Sequence, residues 1–322
     1  MTVQTLLNTI VPKELSQTLA QGTVVTIGNF DGVHRGHQTI VQTVSTSGRK
    51  IGAKSVALTF EPHPTTFFQH RAPESFRLTS SETRERLLRM YGIDEVVTID
   101  FEHEFANLSP NDFVFELLVA RLHAKEIHIG YDFAFGRGRE GTTSKLQELA
   151  AQAGVEVVIH SAYEEGHKAI SSTLTRAALL EHDLDKVHAL LGRPYSIVGY
   201  QASGAQRGRA MGIPTINLYP TMLLMPPHGV YISRVVAEGK SWPAITNIGV
   251  RPTFEDDDRL SVETFILDEQ FTDIRAGERI EVELYRWVRE ERRFESQDAL
   301  RAQIGKDVAQ ANLFHASFTP EA

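Results

Sequence analysis

TVVTIGNFDGVHRGH, residues 23–37, joins two kinds of structure within fifteen residues. Thr23-Val24-Val25-Thr26-Ile27 reads as a buried strand, and Gln38–Val44 mixes apolar and polar residues as a helix does. The histidines His34 and His37 therefore stand where a strand hands over to a helix. Free backbone N–H groups and the positive end of the helix dipole collect at such a junction, which suits an anion such as phosphate. Gly28 and Gly36 flank the turn, and Asp31 precedes the histidines.

The same grammar repeats outward from this stretch. SVALTF (55–60), EVVTID (95–100), EIHIG (126–130) and VEVVIH (155–160) read as short buried strands, with helical stretches near 80–91, 109–123 and 142–153. Alternation of this kind predicts a parallel, Rossmann-like α/β sheet with helices on both faces. Ligands then bind beyond the carboxyl ends of the strands, where HRGH falls. From Gly192 the pattern changes. YSIVGYQ, IPTINLY, GVYISRVV, PAITNIG, VETFILD and RIEVELY are strand-like runs separated by turns, and a helical pattern returns only at about 296–313. That predicts an antiparallel β-barrel with one terminal helix. The boundary is expected near LLGRPYS (190–196), giving domains 1–190 and 191–322.

Composition narrows the chemistry. The 322 residues hold no cysteine, which excludes disulfides and thiolate sites and fits a reducing cytoplasm. The first residues lack the pattern of a signal peptide, and no apolar run approaches the ~20 residues of a membrane helix. A formal net charge of −8 with scattered basic residues argues against nucleic acid as a partner.

Each motif has a plain reading beside a chemical one. In TFEPHP (59–64), Pro62 and Pro64 are expected to fix an extended loop, and His63 either faces the site or caps that loop. In ISSTLTR (170–176), Ser171, Ser172 and Thr173 can cap a helix and also bind phosphate, with Arg176 one turn inside. GxGxxG at 136–141 is not a dinucleotide fingerprint, because YDFAF separates it from its strand. EGKS (238–241) lacks the first glycine of a phosphate loop, since Arg234 stands there. In RGRAMGIPTINL (207–218), Thr215 and Asn217 alternate onto one face of a strand, where neutral oxygens suit Mg²⁺ carried by a nucleotide; Gly208 and Gly212 allow a close-fitting backbone. Glu263 interrupts an apolar strand. If it lines a barrel mouth it can accept a proton from an attacking hydroxyl; otherwise it is a solvated carboxylate.

Taken in order, GNFDGVHRGH, TFEPHP, FANLSPNDFV, GYDFAFG, ISSTLTR, LLGRPYSIVG, RGRAMGIPTINL, PPHGVYISRV, NIGVRPTF and VETFILD closely resemble the prokaryotic bifunctional riboflavin kinase/FAD synthetase family, over about Thr23–Leu313. The resemblance implies an N-terminal nucleotidyltransferase domain and a barrel-like kinase domain. It implies two reactions, riboflavin and ATP giving FMN and ADP, and FMN and ATP giving FAD and pyrophosphate, with Mg²⁺ accompanying ATP. By resemblance, His34 and His37 act on the ATP phosphates, with Gly28, Phe30, Asp31 and Gly36 shaping the pocket. Ser172, Thr173 and Arg176 fill a second nucleotide motif, and Gly208 and Gly212 line the nucleotide site of the kinase. Pro62, Pro64, Asp132 and Arg289 are the flavin-binding positions, Thr215 and Asn217 the Mg·ATP element, and Glu263 the kinase general base.

The chain departs from the family pattern at Leu174 and Ala134, where arginine is usual, and in the turn DIRAG (273–277). Most departures touch the adenylyltransferase half. The alternatives are thus a chain with only kinase activity, or a flavin-sensing module with decayed catalysis. The expected partners are small molecules, with oligomeric state left open.

Overall fold

A computed structural model describes residues 2–69, 76–165, 168–202, 215–221, 224–251, 259–268, 271, 274–275 and 277–317. Gly208 and Gly212 lie outside the described residues, as does part of the turn 273–277. Packing divides the chain into two units, Met1–Ser172 and Thr173–Ala322.

In the first unit, helices α1 (Val3–Ile10) and α2 (Lys13–Thr18) precede β1 (Thr23–Ile27). Then follow α3 (Arg35–Ile51), β2 (Lys54–Glu61), α4 (Pro64–Gln69), α5 (Ser81–Met90), β3 (Glu95–Asp100) and α6 (His103–Ala106). A π-helical segment, Asp112–Arg121, leads to β4 (Ala124–Gly130), α7 (Thr143–Gln152) and β5 (Glu156–His160). The five strands form one parallel sheet in the order β3-β2-β1-β4-β5. β1 is central and buried along its whole length, which is why it reads as a continuous apolar-and-threonine run. Alternate residues feed two cores: Val25 and Ile27 pack with Leu58, Ile127 and Leu117 on one face, and Val24 with Phe30, Val41, Val44 and Leu88 on the other. From β1 the chain runs outward through β2 to β3, then crosses back to β4 on the other side of β1. That reversal opens a crevice at the strands' carboxyl ends.

A two-residue pair, β6 (Glu164–Glu165) with β7 (Lys168–Ala169), precedes α8 (Ser172–Leu180) and α9 (Leu184–Leu191). The sequence-based boundary near 190–196 marks where helices give way to strands. α9 packs on the strands that follow it, because Val187, Leu190 and Leu191 recur on one helical face and are buried.

The second unit holds β8 (Tyr195–Gln201), β9 (Thr215–Pro220), β10 (Gly229–Ala237), β11 (Lys240–Arg251), β12 (Arg259–Ile266) and β13 (Arg279–Arg289). They close into an antiparallel barrel, ordered β10-β11-β12-β9-β8-β13. Its interior is lined by Ile197, Tyr231, Val235, Ile248, Val262, Ile280 and Val282, all at most 1% exposed. A hydroxyl row crosses this interior: Ser233, Thr246 and Thr264 are linked at 2.8 Å and 2.8 Å. Helix α10 (Gln297–Ser317) covers Val230, Ile232, Ile245 and Phe265 on the outside. Among the described residues no helix is long and apolar enough to cross a membrane.

Candidate active sites

The turn after β1 is unusual in its backbone. Phe30, Gly32 and Val33 all have positive φ, at 46°, 80° and 41°. A β-branched residue there is strained, and such strain persists only where surroundings over-determine it. They do so here. The fully buried Asp31 accepts the backbone N–H groups of Leu78 and Thr79 at 2.9 and 3.3 Å. Gly32 donates to Thr79 Oγ1 at 3.1 Å, and the Gln38 side chain donates to the Val33 carbonyl at 2.8 Å.

The turn delivers His34 as the N-cap of α3. Its Nδ1 accepts the His37 backbone N–H at 3.3 Å. An accepting Nδ1 leaves the neutral ring's proton on Nε2, where it can be donated outward. The His34 and His37 rings stack 3.6 Å apart at 17°, and Phe30 meets His37 edge-on at 5.3 Å. Burial, and then the neighbouring His34, hold the His37 imidazole well below its ordinary range, so it is neutral near pH 7. Its Nδ1 is buried without a hydrogen-bond partner among the described residues. The packing explains two glycines: a Cβ on Gly36 would press on His34 Nδ1 and Tyr163, and one on Gly28 would press on the Phe30 ring.

Around this core the other sequence-based positions fall as follows. The Glu61–Pro62 peptide is cis. Pro64 does not extend a loop; it opens α4, since proline's fixed φ and missing N–H suit a first helical position. His63 is 7% exposed and its Nδ1 accepts the Thr65 N–H at 3.1 Å, so it caps that turn. Asp132 is exposed two residues beyond β4. Gly136 to Gly141 carries a short 3₁₀ turn, Arg137–Arg139, rather than a strand-to-helix junction. Ser172 starts α8 and donates its hydroxyl to the Asp31 carbonyl at 2.8 Å, which makes it a further tie on the histidine turn. Thr173 and Arg176 follow within the first turns of α8.

In the barrel, strand register assembles a second group. Glu263 on β12 lies opposite Asn217 on β9 and opposite Asn247 on β11. Paired residues share a face, and Thr215 joins them two residues from Asn217. This face is the outer one: neighbouring Val262 and Thr264 are 1% exposed in the interior, while Phe265, on the Glu263 side, packs under α10. Glu263 thus does not line the inside of the barrel mouth; it is half-buried on the outer face, opposite Asn217 and Asn247. Ser261 donates to Glu263 at 3.2 Å, and Asn247 donates to Glu291 at 3.3 Å. A Cβ on Gly249 would lie 2.3 Å from a Glu291 carboxylate oxygen, the movable end of an exposed side chain. Neither Asn247 nor Glu291 carries a local signal in the sequence: register across β11 and β12 places Asn247 here, and Glu291 reaches it from beyond β13. Arg289 is held by Asp307 of α10 through Nε and Nη2, the latter at 2.7 Å. These bonds tie the helix to the end of β13. Among the described residues no three His, Cys, Asp or Glu side chains form a metal-binding group. The neutral oxygens of Thr215 and Asn217 fit a hard cation that brings phosphate ligands with it.

Comparison with known proteins places these two sites in context. A family model described as FAD synthetase matches residues 16–174, and one described as riboflavin kinase matches residues 191–315. A bifunctional riboflavin kinase/FMN adenylyltransferase of Escherichia coli (strain K12) is 38% identical over 93% of this chain and 95% of its own. This chain belongs to the bifunctional riboflavin kinase/FMN adenylyltransferase family. Members from Pseudomonas fluorescens and Listeria monocytogenes are 36% and 34% identical over 92% and 91% of the chain, covering 94% and 92% of theirs. A crystal structure titled as a macrolide-efflux protein from Streptococcus pneumoniae superposes with a TM-score of 0.81 at 30% identity, covering 92% of this chain and 95% of that one. That title names transport, whereas both family models and the curated relatives of this bifunctional family name flavin chemistry.

Proposed function

We infer that the chain makes FAD from riboflavin in two ATP-dependent steps. The kinase step moves the γ-phosphoryl of ATP to the riboflavin 5′-hydroxyl and is assigned to residues 191–322. The adenylyltransferase step moves AMP to the FMN phosphate, releases pyrophosphate and is assigned to residues 1–190. The observation that carries this reading is that both side-chain groups, His34 with His37 and Asn217 with Glu263, are assembled in one chain. ATP-dependent cofactor synthesis of this kind belongs in the cytoplasm.

In the adenylyltransferase step the FMN phosphate is already an anion, so no general base is required. Charge builds on the α-phosphate oxygens and the departing pyrophosphate. His34 Nε2–H, the His37 ring and the N–H groups opening α3 act as donors to it. Gly28, Phe30, Asp31, Gly36 and Ser172 hold that turn. By resemblance to the family, Thr173 and Arg176 are assigned to nucleotide binding, and Pro62, Pro64 and Asp132 border the flavin.

In the kinase step the attacking hydroxyl is neutral, and Glu263 takes its proton. Asn217, and Asn247 on the other side, fix the carboxylate's surroundings. Thr215 and Asn217 would hold Mg²⁺, which supplies charge neutralisation on the β- and γ-phosphates. Incubation with riboflavin and Mg·ATP, followed by chromatography, tests the whole reading. FAD is the expected product. Accumulated FMN would leave only the kinase, and neither product would leave a binding module.

A further inference from the structure

Two buried arginines meet at the carboxyl edge of the parallel sheet, and the reactions just assigned give neither a role. Arg77 is 3% exposed and Arg84, on α5, is 0% exposed. Arg77 Nη2 donates to the Phe60 carbonyl, near the end of β2, at 2.5 Å, and to Glu61 at 2.9 Å. Arg84 Nη2 reaches the same Glu61 oxygen at 3.1 Å. One carboxylate, itself a third exposed, thus holds two guanidinium groups. Burial, and then the charge of Arg84, pull the Arg77 pKa down to about 10, against the opposing pull of Glu61 and Asp31. Nε and Nη1 of Arg77 and Nη1 of Arg84 are buried without hydrogen-bond partners among the described residues.

As ballast this arrangement is poor, because a buried ion cluster adds little over apolar side chains of the same volume. Its value is geometric. The Arg77 side chain grips the end of β2, just before the Pro62–Pro64 turn. The next two residues, Leu78 and Thr79, give their N–H groups to Asp31, three residues before His34. Thr79 Oγ1 also takes the Gly32 N–H at 3.1 Å. Arg77–Thr79 is therefore a strut between the turn after β1 and the turn after β2. Under the adenylyltransferase reading, on which this inference rests, the first turn holds the nucleotide and the second borders the flavin.

We propose that Arg77 is a positioning residue for adenylyl transfer, setting the distance between the nucleotide turn Asp31–His37 and the flavin turn Pro62–Pro64. At 3% exposure, Arg77 acts through the turns it ties and not on a substrate. Its loss therefore spoils the line of attack more than it weakens binding, and a misplacement of about 1 Å costs roughly 10²-fold in rate. A single nitrogen, Nη2, reaches the Phe60 carbonyl and Glu61 together.

The test compares full-length wild type with Arg77→Met, Arg77→Lys and Thr79→Val. FAD formation from FMN and Mg·ATP, riboflavin phosphorylation and thermal unfolding are each measured. Arg77→Met is expected to lower kcat for FAD formation about 10²-fold. KM for both substrates should stay within roughly threefold and kinase activity should be unchanged. Arg77→Lys should recover part of the loss. Thr79→Val, nearly isosteric, should lose about tenfold with the same split. Wild-type kcat in folded Arg77→Met, or a rise in KM with kcat intact, overturns the proposal. If Arg77→Met does not fold, wild-type kcat in Thr79→Val overturns it. Failure of the wild type itself to form FAD overturns the adenylyltransferase reading and the strut's role with it, which distinguishes that failure from a defect confined to the variants.

Discussion

His34 accepts the His37 backbone N–H through Nδ1 at 3.3 Å while the two rings stack 3.6 Å apart. One side chain thereby caps the helix, fixes its own tautomer and packs on its partner. Protonating Nδ1 would end the cap, and charging both stacked rings would set like charges in contact.

Removal of either imidazole should therefore strike one reaction only. Loss of a positioned donor to developing charge typically costs ~10²–10³ in rate. His34→Ala and His37→Ala should lose that much FAD formation from FMN while riboflavin phosphorylation persists. His34→Ala should also destabilise the first unit by ~1 kcal/mol, the usual worth of an N-cap, readable in a urea melt. Wild-type FAD synthesis in both variants would refute the donor role.

Acid should loosen the first unit. The depressed pKa of His37 comes first from burial, and that of His160 likewise, with His34 and His128 respectively adding repulsion. Below the ordinary histidine pKa of ~6.5 the unfolded chain takes up protons that these folded rings refuse. Stability is therefore fully present above about pH 6.5 and declines as pH falls from there toward the depressed folded values. Urea midpoints from pH 7.5 down to 5.5 should show the decline, and His37→Gln should flatten it. A slope of opposite sign would contradict the neutral stack.

Inside the barrel, Thr246 sits between Ser233 and Thr264 and bonds to both. Thr246→Val keeps the volume but strands two buried hydroxyls, at ~1–3 kcal/mol for an unsatisfied group. Replacing all three by Ala, Val and Val should recover most of that, because no polar group is left waiting. A triple variant less stable than the single one would show that the hydroxyl row itself contributes net stability.

What could be read in the sequence depended on distance along the chain. β1, α3 and the histidine turn were legible because alternation, caps and glycines act over a few residues. The barrel strands were legible for the same reason. Asn247 opposite Glu263 was not, since register across β11 and β12 is settled by packing and not by local pattern. Nor was the partner of Arg289: Asp307 lies eighteen residues on, in a helix whose docking only the folded barrel defines. The outer placement of Glu263 was half legible. Alternation separated it from Val262 and Thr264, but which side was inside needed the closed sheet.

Arg289 and Asp307 should behave as one clamp. Asp307 is 4% exposed, and Gln303 is its other side-chain partner at 2.7 Å. Arg289→Met leaves a buried carboxylate without its cation, a loss of ~3 kcal/mol or more. Asp307→Asn should impair kinase activity in parallel, with faster amide exchange along α10. If Arg289→Met weakens riboflavin binding while Asp307→Asn does not, Arg289 touches the flavin directly.

Glu263 offers the sharpest separation of the two reactions. Its carboxylate lies between Asn217 and Asn247 on the outer barrel face, with Ser261 donating to one oxygen. The riboflavin hydroxyl needs an acceptor for its proton, whereas the FMN phosphate does not. General-base assistance is typically worth ~10²–10⁴-fold. Glu263→Gln preserves size and the Ser261 contact but cannot act as a comparable base, so kinase kcat should fall by about that factor, with a smaller change in KM. Under the proposed assignment, Asn217→Ala should instead raise the Mg·ATP requirement while Glu263 stays in place. Supplied FMN should be adenylylated at near wild-type rate by both variants. Near-normal phosphorylation by Glu263→Gln would remove Glu263 as the base, and loss of FAD synthesis from FMN would show that the two units do not catalyse independently.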